Sequence, residues 1–307
     1  MDILFFEPIP RFALWGHTLV KDYFHFPWFK EGVGQAWAFS TQEESNICFS
    51  DPFKGKTLQY LWTYHQELFG HPNEEFPVII SLLAPEDDLS IQVHPNDEYA
   101  LSHGYKMGKN EAWYFIEAEA DASIVYGHNA KNKEELKRYI EEERWEELIK
   151  TRYVNKEDFI YLPAGILHAM KKGSIVYEIQ QATDITYRFY DYHRKDKDGK
   201  ERKLHLKEAI ECLSYDPHIT DNILEKKVFG RKNMKETEYI SNRSFTVKKL
   251  EIFGKSVYQS GNYQLATVIK GEGIVNNHHV SIGTSFLIPL TVTIHCDGAM
   301  TIMMTTK

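Results

Sequence analysis

Cysteine is nearly absent: Cys48, Cys212 and Cys296 are the only three in 307 residues, odd in number and far apart. That excludes a disulfide framework and predicts free thiols in a reducing compartment. Long apolar runs are lacking too. No stretch approaches the roughly 18–20 apolar residues of a membrane span. The opening MDILFFEPIPRF has neither a positive n-region nor a long h-region. A cytoplasmic chain without a membrane partner is expected. Basic excess is the third absence. With 36 Lys+Arg against 44 Asp+Glu the formal net charge is −8, so no face is advertised for nucleic acid or anionic lipid. A phosphorylated ligand would need a local cationic pocket.

What is present is apolar and aromatic. Hydrophobic residues make up 42% of the chain and aromatics 14%, enough for one large domain or two ordinary ones. Residues 1–60 read as irregular, and KTLQYLWTYHQELFG (56–70) as a helix stopped by Gly70. FPVIISLLAP (76–85) is an apolar run rich in β-branched residues. From 89 to 190 come the short strands LSIQVH, AWYFIEA, ASIVYG, DFIYLP and SIVYEIQ, broken by turns. That spacing suggests an antiparallel sandwich or barrel. The charged stretch 132–151 is the exception and reads as one helix with a solvated face, and KEAIECLS (207–214) as another short helix. RKDKDGKERK (194–203) reads as a mobile, turn-forming loop. Near the C-terminus, 283–304 weakly echoes 156–177, as though a barrel half had been duplicated without a working metal site.

Four candidate metal ligands lie in that β-rich region: Gln92, His94, Glu111 and His168. Residues two apart on a strand share a face, so Gln92 and His94 can converge. Two imidazoles, a carboxylate and an amide oxygen suit Zn²⁺ with one position open for water or substrate. Pro163-Ala164-Gly165 is a tight turn that delivers His168 into the next strand at a fixed angle. Together with the upstream His-bearing strand it resembles the two-part signature of the cupin barrel. Glu178 sits between apolar neighbours, where burial would raise its pKa unless a cation opposed the shift. Arg188 follows ten residues later, with Asp184 placed to orient its guanidinium. Lys109 shares the direction of Glu111, and Ser90 that of Gln92.

SIQVHPNDEYA (90–100), GKNEAWYFIEA (108–118), YLPAGILHAM (161–170) and QQATDITYRFYDY (180–192) together resemble, in order, the motifs of type I mannose-6-phosphate isomerase. This is the zinc-dependent phosphomannose isomerase of the cupin superfamily, and the length fits the short bacterial form. The resemblance is strong over about 1–192 and weak beyond. It implies one zinc per chain on Gln92, His94, Glu111 and His168. It implies an active-site Arg at Arg188 beside Asp184, an acid/base at Glu178, and pocket residues at Ser90 and Lys109. The implied reaction interconverts mannose 6-phosphate and fructose 6-phosphate through an enediolate, with a zinc-bound water or Lys109 as alternative bases. Three positions depart from the family: Ser81 replaces a frequent Lys, Gly16-His17 a Gly-Gly, and Gln35 a Glu. The first bears on phosphate affinity rather than on the metal.

The expected organisation is mainly β. An N-terminal arm and helix (1–75) would pack on a catalytic cupin jelly-roll barrel (76–192) carrying the helical insertion 132–151. A linker with a short helix (193–242) would lead to a second, degenerate β-barrel domain (243–307). The rival function is a non-catalytic metal-binding cupin that senses a sugar phosphate. A redox-iron oxygenase suits the Gln-containing ligand set less well. A monomer or weak homo-oligomer is expected.

Overall fold

The central strands are buried on both faces, and the alternation of side chains sorts them into separate cores. Along Glu111–Ala118, Trp113 and Phe115 join a cluster with Ile124, Met170 and Val176. Ala112, Tyr114 and Ile116 face a different cluster on the other side. In this computed structural model, which describes residues 2–28, 31–72, 74–196, 198–221 and 224–307, the first cluster draws its members from two sheets. One sheet has six strands in the order Ile9–Phe12, Val33–Phe39, Val78–Leu83, Ser174–Gln181, Glu111–Ala118 and Phe159–Leu162. The other has five, Tyr187–Tyr190, Ile91–Val93, His168–Met170, Ser123–His128 and Ile149–Tyr153. Their pairings are antiparallel, which gives the expected double-sheet barrel.

Short helices close the outer face of the five-stranded sheet. Leu136 from Lys133–Glu141, Leu148 from Trp145–Leu148 and Ala209 from Leu206–Cys212 pack with Val93, Val125 and Phe189. Because the odd residues of Ile91–Val93 and Tyr187–Tyr190 enter that outer core, Gln92 and Arg188 are left to face inward.

The C-terminal part forms a nine-stranded sheet around its own apolar core of Leu250, Val268, Phe286, Ile294 and Ile302. Its long strand Gln264–Val275 shifts register between Val268 and Lys270, next to Gly271 at φ +71°. A Cβ on Gly271 would meet the Ala299 carbonyl oxygen at 2.1 Å, so the close strand approach there requires glycine. His295, the counterpart of His168 in the sequence echo, is exposed between buried Ile294 and Cys296.

Several segments differ from expectation. The first 60 residues are not irregular. Leu4–Phe6 pairs with Ser285–Leu287 at the edge of the nine-stranded sheet, and Ile9–Phe12 and Val33–Phe39 belong to the six-stranded one. The barrel therefore recruits strands from before residue 76. Within 193–242, Lys227–Arg231 and Met234–Ser241 are strands of the C-terminal sheet rather than linker. The helix expected over 56–70 ends at Tyr64 and is followed by a single 3₁₀ turn, Gln66–Leu68. The helix expected over 132–151 stops at Glu141. Glu143 takes φ +53°, a short second helix follows, and Ile149–Tyr153 pairs with Ser123–His128, so strand pairing overrides helical propensity. The three cysteines are free. No helix among the described residues is long and apolar enough to cross a membrane.

Candidate metal centre and active-site cleft

The two sheets contribute opposite halves of one cluster. His168 opens its strand directly across from Gln92, and His94 follows the same Ile91–Val93 strand. Glu111 begins a strand of the facing sheet, paired with Gln180 and Leu162. The turn at Gly165, φ +91°, places the Gly165 N–H on the His94 carbonyl at 2.9 Å, which ties the two histidine segments together. Gly108 is needed nearby, because a Cβ there would sit 2.5 Å from the Asn96 carbonyl carbon. That close approach lets Lys109 N–H donate to the Pro95 carbonyl at 2.9 Å.

His94, Glu111 and His168 are each about 1% exposed. His94 Nδ1 lies 2.8 Å from the Ile185 carbonyl and His168 Nδ1 3.0 Å from the Ile166 carbonyl. A carbonyl only accepts, so each Nδ1 carries the proton and each Nε2 presents a lone pair. Both Nε2 atoms point at the same carboxylate: His94 Nε2 is 3.2 Å from Glu111 Oε1, and His168 Nε2 is 3.4 Å from Oε2. His94 Nε2, His168 Nε2 and Glu111 Oε2 have no hydrogen-bond donor. Burial, then the Lys109 charge, pushes His94 down to about 4, so it stays neutral. Burial alone would raise the Glu111 carboxyl, but the Lys109 charge outweighs it and holds it well below the carboxylate range.

Buried acceptors facing acceptors call for a cation between them. For a tetrahedral site with bonds of about 2.0–2.1 Å, adjacent ligand atoms lie roughly 3.3 Å apart. The observed separations of 3.2 and 3.4 Å match that edge, and the three ligand atoms all lie within 4.8 Å of one another. Two imidazoles and one carboxylate fit a metal ion.

The cluster adjoins a cleft of about 420 Å³ lined by Ser90, Gln92, Lys109, Glu111, Glu178, Gln180, Asp184, Arg188 and Arg202, with Trp15 and Trp37 on its walls. Ser90 and Lys109 are both 5% exposed. Lys109 Nζ lies 3.1 Å from Glu111 Oε1. Glu178 stands on the six-stranded sheet, opposite Trp113 and Ser81 in register. Trp113 Nε1 donates to Glu178 Oε1 at 2.9 Å. Burial first, then the Glu111 charge, raises the Glu178 carboxyl to about 8.

Arg188 Nη1 donates to the Lys203 carbonyl at 3.0 Å, and its Nε is buried without a partner. The expected orienting contact from Asp184 is not made. Asp184 is exposed on the cleft rim, because its segment has no strand to hold it against Arg188. The carboxylate that organises this corner is Asp191. It is 4% exposed and accepts from Arg202 Nε at 2.7 Å and Nη2 at 2.6 Å, and from Arg194 Nη2 at 2.6 Å. Sequence reasoning missed Asp191, Arg202 and the Trp113 hydrogen bond, and it treated 194–203 as mobile. Lys197 lies outside the described residues, but Arg194 and Arg202 anchor both ends of the loop. A signal was available: Asp191 sits among aromatics in RFYDY, and a carboxylate placed there needs cations.

Fold and site together define a cupin-type barrel whose two sheets converge on a cation-competent cluster beneath a polar cleft. Residues 15–120 match the catalytic domain of type I phosphomannose isomerase. The chain is 40% identical to the mannose-6-phosphate isomerase ManA of Bacillus subtilis, over 88% of this chain and 86% of that protein. It is 34% identical to a mannose-6-phosphate isomerase of Streptococcus mutans, over 94% and 93%. It superimposes on the crystal structure of a Bacillus subtilis mannose 6-phosphate isomerase with a TM-score of 0.95, 32% identity and full coverage of both chains. The chain belongs to the type I mannose-6-phosphate isomerase family.

Proposed function

We propose that this protein is a zinc-dependent aldose–ketose isomerase that interconverts mannose 6-phosphate and fructose 6-phosphate. The observation that carries this reading is the meeting of three functions in one cleft: a donor-starved ligand cluster, a buried carboxylate and a set of guanidinium groups. The names of the relatives favour the enzyme over a non-catalytic sugar-phosphate binder.

His94, Glu111 and His168 would hold the metal, with Gln92 as the fourth ligand from the strand position opposite His168. Zinc, when bound, supplies a Lewis acid for negative charge developing on the sugar's O1 and O2. Glu178 is the base of this scheme. Its carboxylate takes the proton from C2 of the open-chain aldose and returns it to C1, and between the two transfers the hydroxyl proton on O2 passes to O1, so that the carbonyl moves from C1 to C2. Burial makes that carboxylate more basic than one in water, and Trp113 fixes its orientation. Lys109, close to Glu111, donates to the sugar oxygens at the reacting end. Ser90 and Arg188 hold the anionic groups, with Asp184 on the rim. The free thiols support a reducing, cytoplasmic setting.

The test is coupled conversion of mannose 6-phosphate and fructose 6-phosphate by protein stripped with a chelator and then reloaded with zinc. Turnover that vanishes on stripping and returns with zinc is expected. A zinc-loaded protein that leaves both sugars unchanged removes the isomerase reading.

A further inference from the structure

The two glutamines that end the strand Ser174–Gln181 are buried to a similar degree but engaged differently. The Gln181 amide is tied to the protein: its Oε1 accepts from Asn110 N–H at 2.9 Å and from Asn110 Nδ2 at 2.6 Å. Gln180 is 5% exposed and lines the cleft, and its amide makes no hydrogen bond to the protein among the described residues. Residues two apart on a strand share a face, so Gln180 stands beside Glu178, about 6–7 Å along the strand. Its lateral neighbours in register are Glu111 on one side and Ile79 on the other. Ile79 is fully buried, and its side chain has no polar atom to offer. Glu111 Oε2 is left without a donor, so the Gln180 amide does not brace that carboxylate. What remains for the amide to face is the cleft. Burying an amide is costly unless it is hydrogen-bonded, and here the partner has to come with a ligand.

We infer that Gln180 is a further substrate-binding residue, whose amide recognises the pair of oxygens on the two reacting carbons. The inference rests on the isomerase reading above and deepens it by naming the group that meets that pair. In the aldose O1 is a carbonyl and O2 a hydroxyl, and in the ketose the two are exchanged. A carbonyl only accepts, whereas a hydroxyl can also donate. A side-chain amide carries an acceptor oxygen and a donor NH2 on one plane, and half a turn about its last torsion exchanges them. It therefore suits substrate and product without any change of charge. The position fits the task, because Gln180 is next to the base Glu178 on its strand and level with Glu111 on the neighbouring one. Its N–H also supplies a fixed donor where an oxygen gains negative charge during the reaction. Gln180 itself neither gains nor loses a proton. A neutral side chain there adds no further charge beside the Glu111 and Glu178 carboxylates.

The experiment compares zinc-loaded wild type with Gln180→Leu, which keeps much of the bulk and removes both polar atoms. Turnover of mannose 6-phosphate and of fructose 6-phosphate, inhibition by inorganic phosphate, and zinc affinity against a competing chelator are measured on each. Gln180→Leu is expected to lower kcat/KM by about 10- to 100-fold in both directions, the range for losing a hydrogen bond to an oxygen that gains charge. The phosphate inhibition constant and the zinc affinity should stay within about twofold of wild type, because the amide touches neither the phosphate nor the metal ligands. A fall in kcat/KM of less than about threefold overturns the inference. So does a fall accompanied by a loss of zinc affinity of about 10-fold or more, which would make Gln180 a support for Glu111. A parallel rise in the phosphate inhibition constant overturns it too, since that reports a distorted cleft. If Gln180→Leu does not fold, Gln180→Met, unbranched and uncharged, is read in the same way. Calorimetric titration with a hexitol 6-phosphate, which carries hydroxyls on both carbons and cannot isomerise, needs no turnover. Its affinity should fall by about 10-fold in Gln180→Leu. Wild type that binds the hexitol phosphate through Gln180 but isomerises nothing sinks only the isomerase reading. Wild type that isomerises while Gln180→Leu binds and turns over as before sinks only this one.

Discussion

His94 and Glu111 come from opposite sheets of the barrel and meet at 3.2 Å, acceptor against acceptor. With His94 Nδ1 committed to the Ile185 carbonyl, no proton lies between them. The folded state thus holds a gap fit for a cation, and metal binding should stabilise the fold. At free zinc a thousandfold above its dissociation constant the gain is about 4 kcal/mol. Thermal melts of stripped and reloaded protein should differ accordingly, and His168→Ala should lose the difference together with its bound zinc. Equal melting temperatures with and without zinc would count against the site.

Glu178 provides a second test. Glu178→Gln should lower turnover by ~100-fold or more, the lower bound for removing a general base, with zinc content unchanged. Near-normal turnover would return the role to Lys109 or to a water. The same variant reports on linkage in the zinc-free protein. The Glu178 carboxyl lies at about 8 in the fold against its usual 4.5, so the native state keeps a proton that the unfolded chain releases. Stability therefore falls as pH rises from 4.5 towards 8, the reverse of a salt-bridged carboxylate. Urea denaturation of stripped wild type should show that decline, and Glu178→Gln should show less of it. Parallel pH profiles would mean the carboxyl is not raised.

What was legible in the sequence is what two-residue periodicity and local turns encode. Gln92, His94 and Glu178 follow from alternation, and His168 from the Pro163-Ala164-Gly165 turn. Contacts between distant segments were not legible. Trp113 and Glu178 are 65 residues apart and meet only because their strands pair. The early strands Ile9–Phe12 and Val33–Phe39 carry Pro10 and Gly34 and find partners only in the sheet. The charged run 194–203 reads as solvent-facing because hydrophilicity cannot show that Asp191 lies beneath it.

Asn110 joins segments that carry different functions. Its Oδ1 accepts from Ala164 N–H at 3.0 Å, in the turn before His168. Its Nδ2 donates to Gln181 Oε1 at 2.6 Å and to Ser244 Oγ at 3.3 Å in the C-terminal part. Asn110→Ala should cost about 1–3 kcal/mol for the part-buried hydrogen bonds lost. Zinc affinity should fall by roughly 10- to 100-fold, as when a group orienting a ligand is lost. Titration against a competing chelator measures the second effect. A stability loss with unchanged zinc affinity would make Asn110 a brace only.

Asp191 lets the arginine corner be tested without substrate. Hydrogen bonds from Arg202 and Arg194 hold its carboxyl below the usual 3.8 despite burial, which works in the opposite direction. A depressed carboxyl contributes stability that is present above 3.8 and is lost as pH falls through its folded value. Asp191→Asn should destabilise by about 3 kcal/mol at neutral pH, the lower end for breaking a buried ion pair. In urea the gap between variant and wild type should narrow as pH drops below 3.8, because wild type protonates the same group. A gap of constant size across that range would mean the loss comes from altered packing. The ion pairs would then not be what holds Arg202 in the cleft.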